Sequence, residues 1–416
     1  MTALQPDSAR LQATLDRFSS AEVGGTEAGG VSRPAASDFD KLARDGFRES
    51  AENLGLAVRV DDIGNMYARR SGTDDDALPV VIGSHLDTVV PGGRFDGILG
   101  VSVALETIGL FNDSKLTTRR PIEVVNWTGE EGARFAPAMI GSGVVTGVYD
   151  IRFALALTDS DGLTLGSELE RIGYAGASTH RLKEFFAALE LHVEQGTVLE
   201  QADLELGIVS VIEPVRWCTI TVSGPGGHAG GPGPAGRHDA MIAAARMMVE
   251  ARDLSVDAGT FKTTIGKIAA QPGSNNVIPH VVTFNLDVRS GDDAQLDDYV
   301  AALEKLFARI AGEEGVTVDF DAYWSMRSAP FDPRIRSLIA AAADRRGVGW
   351  SELRGKIGHD SLHLAQRGPT AMIFTPTRLG RSHCEDEFSP WEAVIAAAGI
   401  YADVAYSLAN AASLED

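Results

Sequence analysis

Cysteine is scarce in this chain: Cys218 and Cys384 are the two thiols among 416 residues. Two thiols cannot build a disulfide framework, so the fold must rest on a buried core, and a reducing compartment suits the composition. Cys384 stands beside His383 and has two readings, a metal-proximal thiol or an incidental loop residue; the second is the commoner case for an isolated cysteine. Basic charge is also short. Lys plus Arg number 37 against 58 Asp plus Glu, a net charge of −21. An acidic surface disfavours nucleic acid and anionic membrane as partners. The first residues carry neither a basic segment nor an apolar leader, and no apolar run reaches the roughly 18 residues of a membrane span. A cytoplasmic protein is the expectation. No internal repeat or low-complexity tract is present. The one biased stretch, Gly224-Pro225-Gly226-Gly227-His228-Ala229-Gly230-Gly231-Pro232-Gly233-Pro234, lacks the Gly-Lys-Ser/Thr ending of a phosphate-cradling loop, which weakens a nucleotide-binding reading.

What remains is ample for a globular enzyme. Hydrophobic residues make up 44% and charged residues 23%, ordinary values for a packed domain. A chain of this length splits by default into two domains. Residues 1–210 read as alternating helices and strands, with a Ser37 N-cap and a helix whose Phe39, Leu42, Phe47 and Leu54 would face the core. Strands are expected at 58–60 and 65–68 around an Asp61-Asp62-Ile63-Gly64 turn. The character changes over 211–328. A strand at 217–222, a helix at 239–251 (Met241, Ala244, Met248 and Val249 on one side), strands at 263–268 and 281–288, a helix at 296–310 and a strand at 316–320 give a β-α-β-β-α-β, ferredoxin-like order. Residues 329–416 return to the first pattern, with helices at 338–346, from 358–361 through 364, and from 391 to about 408. The fold class is therefore α/β: a mixed-sheet catalytic domain with helices on both faces, formed by 1–210 and 329–416, and an inserted α+β domain at 211–328.

The chemistry gathers where apolar strands end. The runs Leu78-Pro79-Val80-Val81-Ile82, Pro121-Ile122-Glu123-Val124-Val125-Asn126-Trp127, Leu189-Glu190-Leu191 and Ala371-Met372-Ile373-Phe374 read as strands buried on both faces. They lead to His85 and Asp96, to Glu130-Glu131, to His192 and Glu194, and to His383. Ligands in open α/β sheets collect at such carboxyl ends. Mixed imidazoles and carboxylates suit zinc or a similar divalent ion. A two-metal hydrolase needs a bridging carboxylate, end ligands and a base. Asp96 is the expected bridge, between a glycine-rich turn and Gly97. His85 and His192 would complete one site; Glu131 and His383 would complete the other. Glu130 is then free to take a proton from water and pass it to the leaving nitrogen. Asp87 would accept the other imidazole N–H of His85 and fix its tautomer. Singly, each residue is more often structural: a strand-end histidine is usually hydrogen-bonded, and paired glutamates are usually solvated. Their joint placement on four strand ends argues for a site.

These motifs resemble the metal-dependent amidohydrolases of the M20 aminopeptidase/carboxypeptidase clan, in particular the branch of N-carbamoyl-L-amino-acid hydrolases, β-ureidopropionases and allantoate amidohydrolases. The resemblance runs over nearly the whole chain: 83–87, 92–97, 130–135, 190–196, 228–230, 237–240, 275–279, 287–289 and 380–383. Glu190-Leu191-His192-Val193-Glu194-Gln195-Gly196 discriminates best, because the peptidase branch usually has a carboxylate where His192 stands. The resemblance implies two divalent ions per subunit, zinc foremost, with manganese, cobalt or nickel as alternatives. It implies a homodimer built by the inserted domain, which also acts as a lid. It implies that His228 stabilises the oxyanion, that Gln195 contacts the ureido or amide group, and that Asn276, Arg289 and Arg237 bind a carboxylate-bearing small-molecule substrate. From the residues alone, Arg289 would be read as a surface ion pair. The leading activity is hydrolysis of an N-carbamoyl-L-amino acid to the amino acid, carbon dioxide and ammonia. Allantoate or ureidoglycolate, an N-acyl amino acid, or a non-catalytic small-molecule-binding dimer are the alternatives; retention of Glu130 speaks against the last. The chain departs from the family pattern at Gly231-Pro232-Gly233-Pro234, where Thr-Thr-Pro-Met is usual, at 212–217, and at Cys384-Glu385, which follow Ser382-His383.

Overall fold

The structure, a computed structural model, describes residues 4–415. The chain packs as two compact units. One holds the residues up to Val211 and those from Pro330 onward; the other is Ile212–Ala329.

The first unit carries, among the described residues, a nine-stranded mixed sheet. From one edge its order is Ala57–Val60, Met66–Arg70, Ile122–Trp127, Val80–His85, Ala187–Val193, Thr370–Thr375, Leu206–Ile212 and Ala329–Pro330, with Trp350–Gly355 also paired to Leu206–Ile212. The four central strands are mutually parallel and buried at every residue. Parallel strands are covered on both faces, which is why these segments are continuously apolar. Alternate residues serve opposite faces: Val80, Ile82, Ile122 and Val124 pack into the main core, while Val81, Val125 and Trp127 pack into a second cluster with Tyr67, Phe185 and Leu364. The register sets His85 opposite Trp127 and His192 opposite Phe374. The strand ends that bear candidate ligands are therefore lateral neighbours.

Three helix expectations need correction. In Asp38–Asn53, Ser37 caps Asp40 N as expected, but Phe39 and Leu42 are exposed, at 43% and 47%. The face turned inward carries Asp40, Ala43, Arg44, Phe47 and Ala51. Apolar periodicity could not find this face because a buried ion pair occupies it: Arg44 Nε meets Asp40 Oδ2 at 2.8 Å. Arg44 also donates to Gly64 O at 2.7 Å and Thr128 Oγ1 at 3.2 Å. In Ala240–Ala258, Ala240, Ala243, Ala244, Met247 and Ala251 form the buried stripe and Val249 is exposed. Finally, Trp391–Asn410 is long and apolar enough to cross a membrane, contrary to the sequence reading, yet 72% of its apolar window is buried. It packs on three central strands as a core helix.

The second unit has the sheet order Ile268–Gln271, Val281–Arg289, Val215–Ser223, Thr317–Met326, all antiparallel, with Lys262–Thr264 on Val281–Arg289. The single strand expected at 263–268 is thus two short ones. Asn285 Oδ1 accepts from Gly266 N and Lys267 N at 2.9 and 2.6 Å, holding the break between them. Val281–Arg289 alternates half-buried and buried residues, as a sheet with one covered face should. Its core side packs Phe284, Leu286 and Val288 with Leu303, Phe307 and Ile310 of the helix Asp293–Glu314. A separate two-stranded ribbon pairs Gly227–His228 with Val277–Ile278.

Candidate metal centre

His85 ends its strand fully buried, and its Nδ1 lies 2.9 Å from the carbonyl oxygen of Asp87. A carbonyl only accepts, so Nδ1 carries the proton and Nε2 presents a lone pair. His192 repeats this arrangement, with Nδ1 3.0 Å from Val193 O and Nε2 accepting from Gly97 N at 3.2 Å. The expectation for Asp87 is corrected here. Its carboxylate stands 3.9 Å from His85 Nδ1, and its backbone carbonyl fixes the tautomer instead. The carboxylate accepts from Glu130 N and Glu131 N at 3.2 and 3.3 Å. It ties two strand ends together, and its burial raises its pKa to about 6.

Asp96 lies at the meeting point. Its Oδ1 is 3.0 Å from His192 Nε2 and 3.5 Å from His85 Nε2. Its Oδ2 is 3.3 Å from His383 Nε2, which in turn lies 3.2 Å from Glu131 Oε2. Two donor groups result, His85–Asp96–His192 and Asp96–Glu131–His383, each with its ligand atoms within 4.8 Å of one another. One carboxylate serves both, one oxygen to each. The first group is wholly buried and the second partly exposed.

The donor set fits two divalent cations. His85 Nε2 is buried without any hydrogen-bond partner, and it faces oxygens that can only accept while ionised. Lone pairs converging on lone pairs are unstable unless a cation or protons lie between them. The protonation tendencies say the same. Burial pulls the His85 pKa down, but Glu130 foremost, then Asp96, Asp87 and Glu131, reverse this and hold it well above the ordinary value. His383 is pushed up to about 11 by its bonds to Asp96 and then Glu131. A site that attracts positive charge this strongly suits a metal, which would displace those protons.

Glu130 lies outside both groups, 3.6 Å from His85 Nε2. Burial raises its carboxyl well above the usual range, with Asp360, Glu131 and Asp96 adding to the effect against His85. Gln195 adopts φ +54° and donates from Nε2 to Asp96 Oδ2 at 2.7 Å.

Sequence reasoning missed several neighbours. Glu387 accepts from Phe95 N at 2.8 Å and Asp96 N at 3.0 Å and so braces the bridging residue; burial raises its pKa to about 7. Ser382 Oγ lies 2.8 Å from Asp96 Oδ2 and 2.5 Å from Glu387 Oε2, its single proton shared between the two carboxyl groups. His359, noted only as the start of a helix, packs its ring 4.3 Å from that of His192, with Nδ1 3.8 Å from Glu130 Oε1. Arg33 is buried and donates to the carbonyls of Phe18, Val23 and Leu86, anchoring the chain just past His85. The available signal was small: Glu387 lies four residues past His383, but nothing local told it from the neighbouring Glu385 and Asp386. Cys384 carries a thiol whose pKa is raised by burial, then by its bond to Asp386, the opposite of an activated nucleophile.

The remaining candidates lie in the second unit. His228 is exposed and its Nδ1 accepts from Gly230 N at 3.0 Å. Asn276 sits beside it on the ribbon, its carbonyl accepting from Ala229 N at 2.9 Å. Arg237 donates to Ala229 O and to Pro232 O, the latter at 3.1 Å, so it braces the unusual Gly-Pro loop. Arg289 forks onto its strand neighbour, with Nε to Asp287 Oδ1 at 2.8 Å and Nη2 to Oδ2 at 3.0 Å. Trp217 Nε1 also donates to that carboxylate, at 2.9 Å.

Comparison with known proteins agrees with this chemistry. An N-carbamoyl-L-amino-acid amidohydrolase of Rhizobium meliloti is 39% identical over 369 residues, 88% of each chain. An allantoate amidohydrolase of Bacillus subtilis (strain 168) is 31% identical over 393 residues, 94% of this chain and 95% of that one. The crystal structure of an amidase of the hydantoinase/carbamoylase family from Burkholderia multivorans superposes with TM-score 0.89 at 40% identity, over 98% of both chains. The sequence profile of Peptidase family M20/M25/M40 matches residues 76–407. With that match over most of its length and relatives this similar, the chain belongs to Peptidase family M20/M25/M40 and is a hydrolase.

Proposed function

We propose that the protein hydrolyses the linear C–N bond of a small N-substituted amino acid, an N-carbamoyl-L-amino acid before others, yielding the amino acid, carbon dioxide and ammonia. The observation that carries this reading is the bridging position of Asp96 between His85–His192 and Glu131–His383. It is supported by the relatives named above, whose activities are directed at carbamoyl and allantoate C–N bonds. Two divalent ions held by these five residues would supply Lewis acidity to the scissile carbonyl and lower the pKa of the attacking water.

The chain's own groups do the rest. Glu130 takes the water's proton and returns it to the leaving nitrogen. Burial raises its pKa above the ordinary carboxyl range, which favours its holding the proton between the two halves of that exchange. Asp87 holds Glu130 and Glu131 through their backbone amides. His228 donates to the developing oxyanion, worth a few kcal/mol when preorganised. Gln195 contacts the ureido group. Asn276 and Arg289 take the substrate carboxylate, and Arg237 keeps the intervening loop in shape. Asp287 orients the Arg289 fork. We further propose a homodimer formed through residues 212–329, with Arg289 serving the partner's site.

The test joins metal content to turnover. Glu130→Gln should keep about two divalent ions per chain while kcat falls by about 10²- to 10⁴-fold. A substrate panel of N-carbamoyl, N-acyl and ureido acids, with zinc, manganese and cobalt supplied in turn, identifies the substrate. Full activity of metal-free protein would overturn the mechanism.

A further inference from the structure

The sheet of the second unit packs one face on its helices. The other face carries an aromatic pair to which no role has yet been given. Trp217 and Trp324 set their rings 4.4 Å apart between centroids, inclined by 35°. They stand in one row across three antiparallel strands, Trp324 opposite Trp217 and Trp217 opposite Asp287. A β-bulge puts Trp324 there. From Thr317 to Asp321, alternate residues pair with Ser223, Thr221 and Thr219, the half-buried row of the neighbouring strand. The register then shifts between Asp321 and Trp324. Uninterrupted pairing would set Tyr323 opposite Trp217 and turn Trp324 toward the helices, because a slip of one residue exchanges the two faces. Bulges that re-aim a side chain in this way gather beside functional sites.

The pair is tied to the arginine that takes the substrate carboxylate. Trp217 Nε1 donates to Asp287 Oδ2 at 2.9 Å, and Arg289 Nη2 donates to the same oxygen at 3.0 Å. Indole and guanidinium therefore flank one carboxylate. Trp217 has its N–H committed, so its ring is fixed in orientation, yet the residue remains 37% exposed. What it offers to a ligand is apolar ring surface, widened by Trp324. A fixed apolar wall beside a fixed cation matches a molecule that carries a carboxylate and an apolar group close together. An amino-acid derivative with an aromatic side chain is such a molecule, since its ring hangs one CH2 from the α-carbon that bears the carboxylate. Aromatic rings meet in offset-stacked or edge-to-face geometry with a gain beyond the area they cover. A substrate without a side chain leaves the wall in water.

We propose that Trp217 and Trp324 form the side-chain subsite for the substrate held through Arg289, and that they select N-carbamoyl amino acids with an aromatic side chain. The proposal rests on the carbamoyl reading above and on Arg289 as the carboxylate ligand. It is tested with N-carbamoyl-L-tryptophan and N-carbamoylglycine, which share the scissile bond and the carboxylate and differ in the side chain. Wild-type protein should favour the tryptophan derivative in kcat/KM. In Trp324→Ala the ratio of the two kcat/KM values should fall about tenfold or more. Trp217 is left in place because its Nε1 also orients Asp287. Trp324→Phe keeps a ring and should recover part of the ratio; it also serves as the readout if the alanine variant fails to fold. A ratio that stays the same, whether both values fall together or neither moves, would overturn the assignment and leave the carbamoyl reading standing. So would a wild-type preference for the glycine derivative, or a change of oligomeric state in Trp324→Ala by sedimentation, which would make the pair a contact between subunits. Wild-type protein that cleaves no N-carbamoyl amino acid would overturn both.

Discussion

Asp96 is held from four sides. Phe95 N and Asp96 N are tied to Glu387, Ser382 and Gln195 reach its Oδ2, and two imidazoles face its Oδ1. The following residue must be glycine. Gly97 has φ +65°, and a Cβ there would stand 2.4–2.5 Å from three atoms of the His85 ring. Gly97→Ala should therefore displace His85 and weaken metal binding, read as a fall in bound metal from about two ions per chain toward one; unchanged metal content would show that the ring can yield. The grouping of His85, Asp96, Glu131, His192 and His383 was legible because each follows a strand whose apolar run is visible in one dimension. Glu387 and His359 were not, because their importance arises only from what the fold sets beside them. Asp87 lay between these cases: its neighbourhood was readable, but the division of labour between its carbonyl and its carboxylate was not.

At the level of elements, the buried central strands declared themselves through continuous apolar runs, and the inserted unit through its strand–helix order. The helix Asp38–Asn53 misled because its inward face is partly ionic. Arg44 and Asp40 are each about 1% exposed at the side chain, so removing one partner strands a charge away from water. Arg44→Met should destabilise the protein by about 3–5 kcal/mol, measured by denaturant unfolding. The double variant Arg44→Met with Asp40→Leu should cost clearly less than the two single losses added together. Additive losses would mean that the pair is not coupled. The same helix illustrates a limit on periodicity arguments: a buried arginine satisfied by Gly64 O and Thr128 Oγ1 leaves no trace in a hydrophobic pattern.

For the whole molecule, the two units have separate cores, and the second is entered and left through adjacent strands. Leu206–Ile212 pairs with Ala329–Pro330, and Phe331 N donates to Ser210 O at 3.0 Å. Replacing residues 214–327 by a short Gly/Ser loop should thus preserve the first unit. The shortened protein should bind about two divalent ions per chain with negligible turnover, since His228, Asn276 and Arg289 leave with the excised segment. Retained turnover would place oxyanion and carboxylate recognition elsewhere; lost metal would show that the first unit depends on the second. That seam has a consequence for biosynthesis. The proposed ligands begin at His85 and end at His383, with the whole insertion lying between His192 and His383 in the chain. A ribosome-bound polypeptide can form the first donor group once His192 has emerged, but it cannot close the second until His383 has followed the whole insertion. The second donor group then loads after the first, and a fragment released before His383 would carry at most a half-filled, unproductive centre.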